Sequence, residues 1–266
     1  MPIKKDGTGK RWVEMELLLP GTPEQVWQAI ATGPGYSAWF ATTEIEQRVG
    51  GLVRFAFGPD VISTGEVTKW EPPREFSYVE RDWDKDAPPL ATEITVTARS
   101  GDSCVVRMVH SLFTSSDAWD DQVEGFEKGW PSFFAVLRVY LAHFAGSHAA
   151  SFVATRPSRE DALPTWERSL ELLGLSAANS GQRRTSASGP ERWTGVVEHV
   201  YQDSRQRYLV LRTDEPSPGI VVVGTDAKGA SPPSVGVCRY YYGDGAERLA
   251  KGGEPRWRDW LDEHFG

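Results

Sequence analysis

The sequence predicts an α+β protein in which an antiparallel sheet packs against a long helix, followed by a smaller α+β region. Three observations predict this class: an early strand and helix, a series of alternating segments bounded by turn residues, and a later segment with helical period. We expect residues 1–146 to form the first domain, 147–192 a helix and a flexible linker, and 193–266 a second, smaller domain.

The chain opens with a predicted strand over 11–19 that Pro20 and Gly21 end. A helix is predicted next, because Thr22 has the hydroxyl of an N-cap and Pro23 suits the first helical position. Gln25 follows the cap at the spacing of a capping box. Apolar residues then recur at helical spacing: Val26, Trp27 and Ile30.

Six alternating segments follow, each bounded by Gly, Pro, Asp or Ser, as strands of an antiparallel sheet require. They are 44–49, 52–57, 62–70, 75–83, 91–98 and 104–113. In the last segment, 104–113, one face is nearly all apolar, and we expect it to point inward. Its residues are Cys104, Val106, Met108, His110 and Leu112.

The segment 116–144 has the period of an amphipathic helix with an aromatic face. Pro131 lies inside it, so we expect a kink or a restart near Gly129. A curved sheet can bury its concave face only against something long, and this helix is the candidate. A cavity between sheet and helix is therefore expected.

Residues 11–146 resemble the helix-grip superfamily of START-like (SRPBCC) lipid binders and polyketide cyclases. The branch is similar to the C-terminal, Aha1-like domain of the activator of the Hsp90 ATPase. The resemblance rests on Pro23-Glu24-Gln25-Val26-Trp27, Trp39-Phe40, Gly50-Gly51, Gly65-Glu66-Val67, Trp70-Glu71-Pro72-Pro73 and Gly129-Trp130. It implies a helix-grip fold, a curved antiparallel sheet wrapped around the long C-terminal helix, with a ligand cavity between them.

The second half has a helix candidate over 159–173 and then a polar stretch, 177–192, typical of a linker. A hairpin is predicted over 193–213, with its turn near Asp203-Ser204. Strands at 219–225 and 235–242 and a helix over 255–265 complete the pattern. This order fits a degenerate second helix grip, or an α+β addition that packs against the first domain.

The composition of the chain limits the classes of binding partner and the cellular location that we expect. Lys and Arg number 29 against 37 Asp and Glu, and a net charge of −8 disfavours nucleic-acid binding. No apolar run approaches the length of a membrane span, and two distant cysteines, Cys104 and Cys238, suggest a reduced, cytoplasmic protein. Acidic residues concentrate at 80–86 and 117–127. These segments are solvated surfaces, the rim of a pocket mouth, or docking sites for a basic protein partner.

Patterns of hydrolases, nucleotide-binding loops and zinc sites are absent from the sequence, so we expect neither a metal nor another cofactor and assign no catalytic residue. His110 is the exception among the five histidines, because its predicted inward position would desolvate the imidazole. We interpret it as a core histidine or a ligand contact, with a catalytic base as the alternative.

The predicted function is non-catalytic binding of a small hydrophobic or amphipathic molecule in the cavity. On the strands, the candidates are Phe55 or Phe57 and Phe76 or Tyr78, and we choose Phe57 and Tyr78. The full set of predicted ligand contacts is Trp39, Phe40, Phe57, Tyr78, His110, Trp130 and Phe134. Alternatives are a solid core, a protein-interaction module of the chaperone-activator type, and a polyketide cyclase-like enzyme.

Overall fold

The computed structural model describes residues 3–7, 9–58, 61–114, 116–186, 188–204, 206–226 and 232–266. The side chains of Asp117, Phe126 and Glu127 lie outside this description. The chain forms two compact units, Met1–Gly146 and Ser147–Gly266. Each unit combines an antiparallel sheet with helices, so the protein is α+β.

In the first unit, the strands are β1 (Lys4–Lys5), β2 (Lys10–Pro20), β3 (Thr42–Ile45), β4 (Leu52–Ala56), β5 (Ile62–Glu71), β6 (Glu75–Glu80), β7 (Leu90–Arg99) and β8 (Ser103–Phe113). The helices are α1 (Pro23–Ala31), α2 (Gly33–Ser37) and α3 (Asp120–His143), with a short 3-10 helix at Asp117–Trp119. The seven predicted strands are confirmed with shifted ends, whereas α2 was not predicted.

The eight described strands of this unit lie in the order β1-β2-β8-β7-β6-β5-β4-β3. The first long strand pairs with the last one, from Lys10 opposite Phe113 to Pro20 opposite Ser103. All other neighbours are joined as consecutive hairpins. Helix α3 packs on β2 and β8, and α1 contacts β7 and β8. The expected arrangement of an antiparallel sheet against a long C-terminal helix is confirmed.

Helix α1 begins as predicted. The Thr22 hydroxyl accepts from the Gln25 backbone N–H at 3.3 Å, and Gln25 Oε1 accepts from the Thr22 N–H at 2.9 Å. These reciprocal bonds satisfy two of the N–H groups that a helix start leaves open. The next residues turn at once into α2, because Thr32 caps it through the Gly35 N–H.

Helix α3 runs without a break through Gly129 and Pro131, so the predicted restart does not occur. Pro131 nevertheless has no N–H to bond within the helix. In the first half of α3, Val123 and Trp130 are the buried side chains among those described, and Gly125 and Gly129 have open space around them. Among the described side chains of this half, burial is therefore concentrated at Val123 and Trp130.

The second unit contains strands β9 (Ala149–Pro157), β10 (Arg183–Ser186), β11 (Trp193–Gln202), β12 (Gln206–Glu215), β13 (Gly219–Asp226) and β14 (Ser234–Tyr242). Its helices are α4 (Ala162–Leu172) and α5 (Ala246–Phe265). The sheet order over the described residues is β10-β11-β12-β13-β14-β9, so here too the first strand pairs with the last.

Three parts of the second unit differ from expectation. Residues 147–192, predicted as helix and linker, contribute β9 and β10 to the sheet. The polar stretch lacks large apolar residues, yet Arg183–Ser186 forms a strand because its backbone pairs with β11. Helix α5 begins at Ala246 rather than near 255, since Pro255 is accommodated inside it.

A buried ion pair lies on the inward side of the second sheet. Arg239 Nε donates to Glu191 Oε2 at 3.2 Å, and the guanidinium lies 4.1 Å from the centroid of the Tyr241 ring. Tyr241 also donates a hydrogen bond to Glu191. Helix α5 approaches this cluster at Gly253, where an added Cβ would lie 2.8 Å from the Tyr241 hydroxyl oxygen.

Among the helices of the described residues, none combines the length and the apolar character needed to cross a membrane.

Candidate functional site

The inward face of the first sheet carries a row of polar side chains. His110 on β8 lies opposite Thr92 on β7, and Thr92 lies opposite Tyr78 on β6. Thr92 Oγ1 is 2.9 Å from His110 Nδ1. Two residues farther along β6, Glu80 lies on the same face, opposite Leu90 and Gly65. The predicted inward face of β8 is confirmed, since all five of its residues are buried.

Trp130 of α3 lies at the centre of the rings that cover this row. Its plane is within 17° of the planes of His110, Phe40 and Phe134, with centroids 5.0 to 5.4 Å away. Trp39 lies 6.4 Å from Trp130. Helix α3 and the segment after α2 therefore meet the sheet through stacked aromatic rings.

The structure brings the seven predicted residues into one connected set of rings. Trp130 is one of the seven, and four others contact its ring: Trp39, Phe40, His110 and Phe134. Phe57 joins through Phe40, at 5.3 Å. Tyr78 joins through Phe55, at 5.6 Å.

Phe57 occupies the margin of the set. It follows the end of β4 and is 45% exposed, whereas Phe55 is 3% exposed and contacts the rings of Tyr36, Phe40 and Tyr78. Phe55 and Phe57 are two residues apart, so an extended chain places both on the same face, and the alternation pattern could not distinguish them. Phe76, the alternative to Tyr78, is buried beside it at 5.4 Å.

Sequence reasoning missed three inward residues, Tyr36, Glu80 and Thr92, and it chose Phe57 over the buried Phe55. Tyr36 was missed because the glycines and proline around it indicated an irregular segment. Glu80 was assigned to an acidic surface segment, although it alternates with Tyr78 along the same strand. That alternation was the signal that could have placed its carboxyl inside.

Burial sets the ionisation of these groups. It lowers the pKa of His110 to about 3, so the imidazole is neutral at physiological pH and is a weak proton acceptor. Burial raises the pKa of Glu80 to about 7, against the opposing effect of a hydrogen bond from Ser63. Burial also raises the pKa of Tyr36 and Tyr78, with the neighbouring Glu80 contributing in the same direction.

One carboxyl group of each acidic segment is engaged within the first unit. Glu80 is almost completely buried. In the second segment, Asp120 accepts from Lys5 at 2.8 Å and from Arg11 at 2.5 Å. Two of the acidic side chains are thus engaged inside the unit.

Comparison with known proteins finds a family model that matches most of the first unit. Residues 20–142 match the family model described as "Activator of Hsp90 ATPase homolog 1-like protein". No curated protein sequence matches the chain.

Solved structures similar to the chain include DynU16, described as a protein of the dynemicin biosynthetic locus. The identity is 16% and the TM-score 0.45, over 95% of this chain and 98% of that one. Protein MLL2253 from Mesorhizobium loti has 23% identity and a TM-score of 0.46, over 50% and 98%. The Aha1 dimer from Colwellia psychrerythraea has 19% identity and a TM-score of 0.42, over 51% and 98%.

Over residues 20–142, the first unit therefore resembles the Aha1-like branch of the START-like (SRPBCC) superfamily.

Proposed function

We propose that the first unit binds a small, flat, largely apolar molecule between its sheet and helix α3, without catalysing a reaction. The observation that carries this proposal is the stack around Trp130. Three neighbouring rings lie nearly parallel to the indole plane, at the ring separations of an aromatic stack. A planar ligand can replace one member of such a stack with little loss of contact area.

The rings fill this region in the structure, so binding requires them to move. Phe40 lies between the exposed Phe57 and the buried Trp130, with centroid distances of 5.3 and 5.0 Å. Burial at few of the described side chains in the first half of α3 allows Trp130 to swing away from the sheet about Gly129 and Pro131. Ligand access is thus proposed between the end of β4 and this half of the helix.

A set of flat aromatic compounds, titrated by calorimetry and thermal shift, tests the proposal. One-to-one binding is expected, with about tenfold weaker affinity in Phe40→Leu, because the substitution keeps apolar volume but removes a stacking ring. Phe113→Leu is the matched control, since Phe113 is an exposed ring at the end of β8. Equal effects of both substitutions, or no binding by any compound, would refute the proposal.

An acid–base enzyme that uses His110 is less well supported. The pKa of His110, about 3, lies far below the pH at which a general base would work. A chaperone-activator role through the acidic segments is also less well supported, because Glu80 is buried and Asp120 is paired. The cytoplasmic location remains part of the proposal, and the two free thiols, Cys104 and Cys238, are compatible with it.

We further propose that the second unit is a degenerate helix grip and folds as a separate domain. Its order of strand, helix, strands and long helix supports this, as does the pairing of its first strand β9 with its last strand β14. Limited proteolysis should then cut near 146–147 and leave two resistant fragments. A single cooperative loss of both units, without an intermediate fragment, would contradict separate folding.

A further inference from the structure

Glu80 is a carboxyl group enclosed by the inward side of the first sheet. Ser63 of β5 donates a hydrogen bond to Glu80 Oε1. Gly65, directly opposite on β5, makes room for the side chain, because an added Cβ would lie 3.1 Å from Glu80 Cγ. Within the described residues, no Lys, Arg or His side chain forms an ion pair with Glu80.

Two phenols lie within electrostatic range of this carboxyl, that of Tyr36 on α2 and that of Tyr78 on β6. Tyr36 is completely buried, and its hydroxyl interacts with that of Tyr78. The ring of Phe55 lies 5.5 Å from that of Tyr36 and 5.6 Å from that of Tyr78. The carboxyl thus lies within electrostatic range of two phenols whose rings both contact the ring of Phe55.

This arrangement is incomplete as a purely structural core. A buried carboxylate accepts several hydrogen bonds and is costly without a positive partner. Aromatic ring faces attract cations, most strongly where water is excluded. Carboxylate and ring faces together favour a group with positive charge and N–H donors.

We propose that the site formed by Glu80, Tyr36, Tyr78 and Phe55 receives the protonated amine of the flat apolar ligand. Glu80 accepts hydrogen bonds from the ammonium group, and the Tyr36 hydroxyl supplies a further polar contact. The flat part of the molecule extends toward the stack around Trp130. This inference rests on the proposed function and specifies the substrate class of the same site.

The proposal predicts a pH dependence of binding. Near neutral pH, Glu80 is partly ionised, because its pKa is about 7. The groups that face it are Ser63 on β5, Leu90 on β7, Tyr36 on α2 and Tyr78 on β6, and both phenols stay neutral over this range. Amine affinity should therefore rise with pH as Glu80 loses its proton, between about pH 6 and pH 8.

A pair of probes isolates the amine. Naphthalen-1-ylmethylamine and naphthalen-1-ylmethanol have the same ring system and nearly the same size, but the first is a cation below pH 8. Calorimetry with the full chain should show at least about tenfold tighter binding of the amine at pH 8, and a smaller preference at pH 5.5. Glu80→Gln should remove the preference while the alcohol still binds. Glu66→Gln, an exposed glutamate of β5, is the matched control.

The outcomes separate the two proposals. Equal affinity for both probes at pH 8 would overturn the amine site and leave ligand binding in place. An amine preference that persists in Glu80→Gln would also overturn it. If neither probe nor any other flat aromatic compound binds, both proposals fail. Hydrogen exchange of β7 and β8 amides in Glu80→Gln, compared with the unmodified chain, verifies that the variant is folded.

Discussion

The imidazole of His110 lies parallel to the indole of Trp130, with a centroid distance of 5.4 Å and an interplanar angle of 17°. This contact joins the last strand of the first sheet to the helix that covers it. His110 is also anchored by Thr92 through Nδ1, so its ring orientation is fixed from the sheet side. The stack around Trp130 is therefore formed by a residue of the sheet on one side and by residues of helix α3 on the other.

Stability of the first unit should depend on pH through two opposing groups. Glu80 has a folded-state pKa of about 7, above its ordinary 4.5, so it lowers stability as the pH rises through this range, by about 3 kcal/mol. His110 has a folded-state pKa of about 3, below its ordinary 6.5, so it lowers stability as the pH falls, by about 5 kcal/mol. Between pH 4.5 and 6.5 the two effects oppose each other.

Substitution should separate these contributions. In Glu80→Gln, stability should fall steeply as the pH is lowered from 6.5 to 4.5, because the effect of His110 is no longer opposed. In His110→Asn, stability should instead rise over the same interval. Native-state hydrogen exchange of β7 and β8 amides measures the free energy in this unit alone. Parallel profiles for Glu80→Gln and the control Glu66→Gln would contradict the prediction.

The two phenylalanines near the end of β4 should differ in their effect on stability. Phe55→Ala should cost about 3–5 kcal/mol, because it removes a buried ring with four aromatic neighbours. Phe57→Ala should cost less than about 1 kcal/mol, because the ring is 45% exposed. Urea unfolding of both variants measures the difference, and similar losses would show that Phe57 is held more firmly than its exposure indicates.

The start of α3 should loosen when Asp120 loses its charge. Asp120→Asn removes the carboxylate that Lys5 and the buried Arg11 contact, and should cost about 2 kcal/mol. Amides in the first half of α3 should then exchange faster. Asp121→Asn is the control, since Asp121 lies in the same first turn and forms no ion pair with a described residue. Equal exchange in both variants would assign the effect to the helix dipole instead.

Pro131→Ala should strengthen α3 by restoring a backbone N–H within the helix, for a gain of up to about 3 kcal/mol. If the first half of the helix must move for a ligand to reach the stack, ligand association should become slower. Stopped-flow fluorescence measures the rate, with Ser132→Ala as a neighbouring control. A more stable variant with an unchanged association rate would place the access route elsewhere.

Two adjacent glycines of α5 provide a matched test in the second unit. Gly253→Ala should cost about 1–3 kcal/mol, because the new Cβ would lie 2.8 Å from the Tyr241 hydroxyl oxygen and 3.1 Å from Phe152. Gly252→Ala should stabilise by about 0.5–1 kcal/mol, because nothing lies within 4 Å and alanine favours the helix. Thermal unfolding of both variants measures the opposite signs expected.

Elements with a strong local pattern were predictable from sequence. Strand β8 was predictable because one of its faces is nearly all apolar. Helix α1 was predictable because Thr22 and Gln25 form a capping box. Helix α2 was not, because its glycines resemble turn residues. Gly35 is required there by close packing, since a Cβ would lie 1.8 Å from the Gln28 carbonyl oxygen. Close packing between two consecutive helices does not show in the residue pattern of either one.

The candidate site was predictable in its rings but not in its polar groups. Helical spacing of aromatic residues indicated Trp130 and Phe134, whereas Tyr78 was one of two candidates on its strand, with Phe76 as the other. Glu80 adjoins further acidic residues in the sequence, so its charge indicated a solvated surface. Its inward position depends on the register that sets it opposite Gly65, and register is established by the whole sheet.

The pairing of β2 with β8 also constrains how the protein is made. Arg11 reaches the Thr114 carbonyl across 103 residues of chain, and the second unit repeats this closure between β9 and β14. During synthesis on the ribosome, the edge of β2 that pairs with β8 and the edge of β9 that pairs with β14 therefore stay unpaired until most of each unit has been synthesised. Such non-local closure slows folding and leaves nascent chains vulnerable to intermolecular strand pairing.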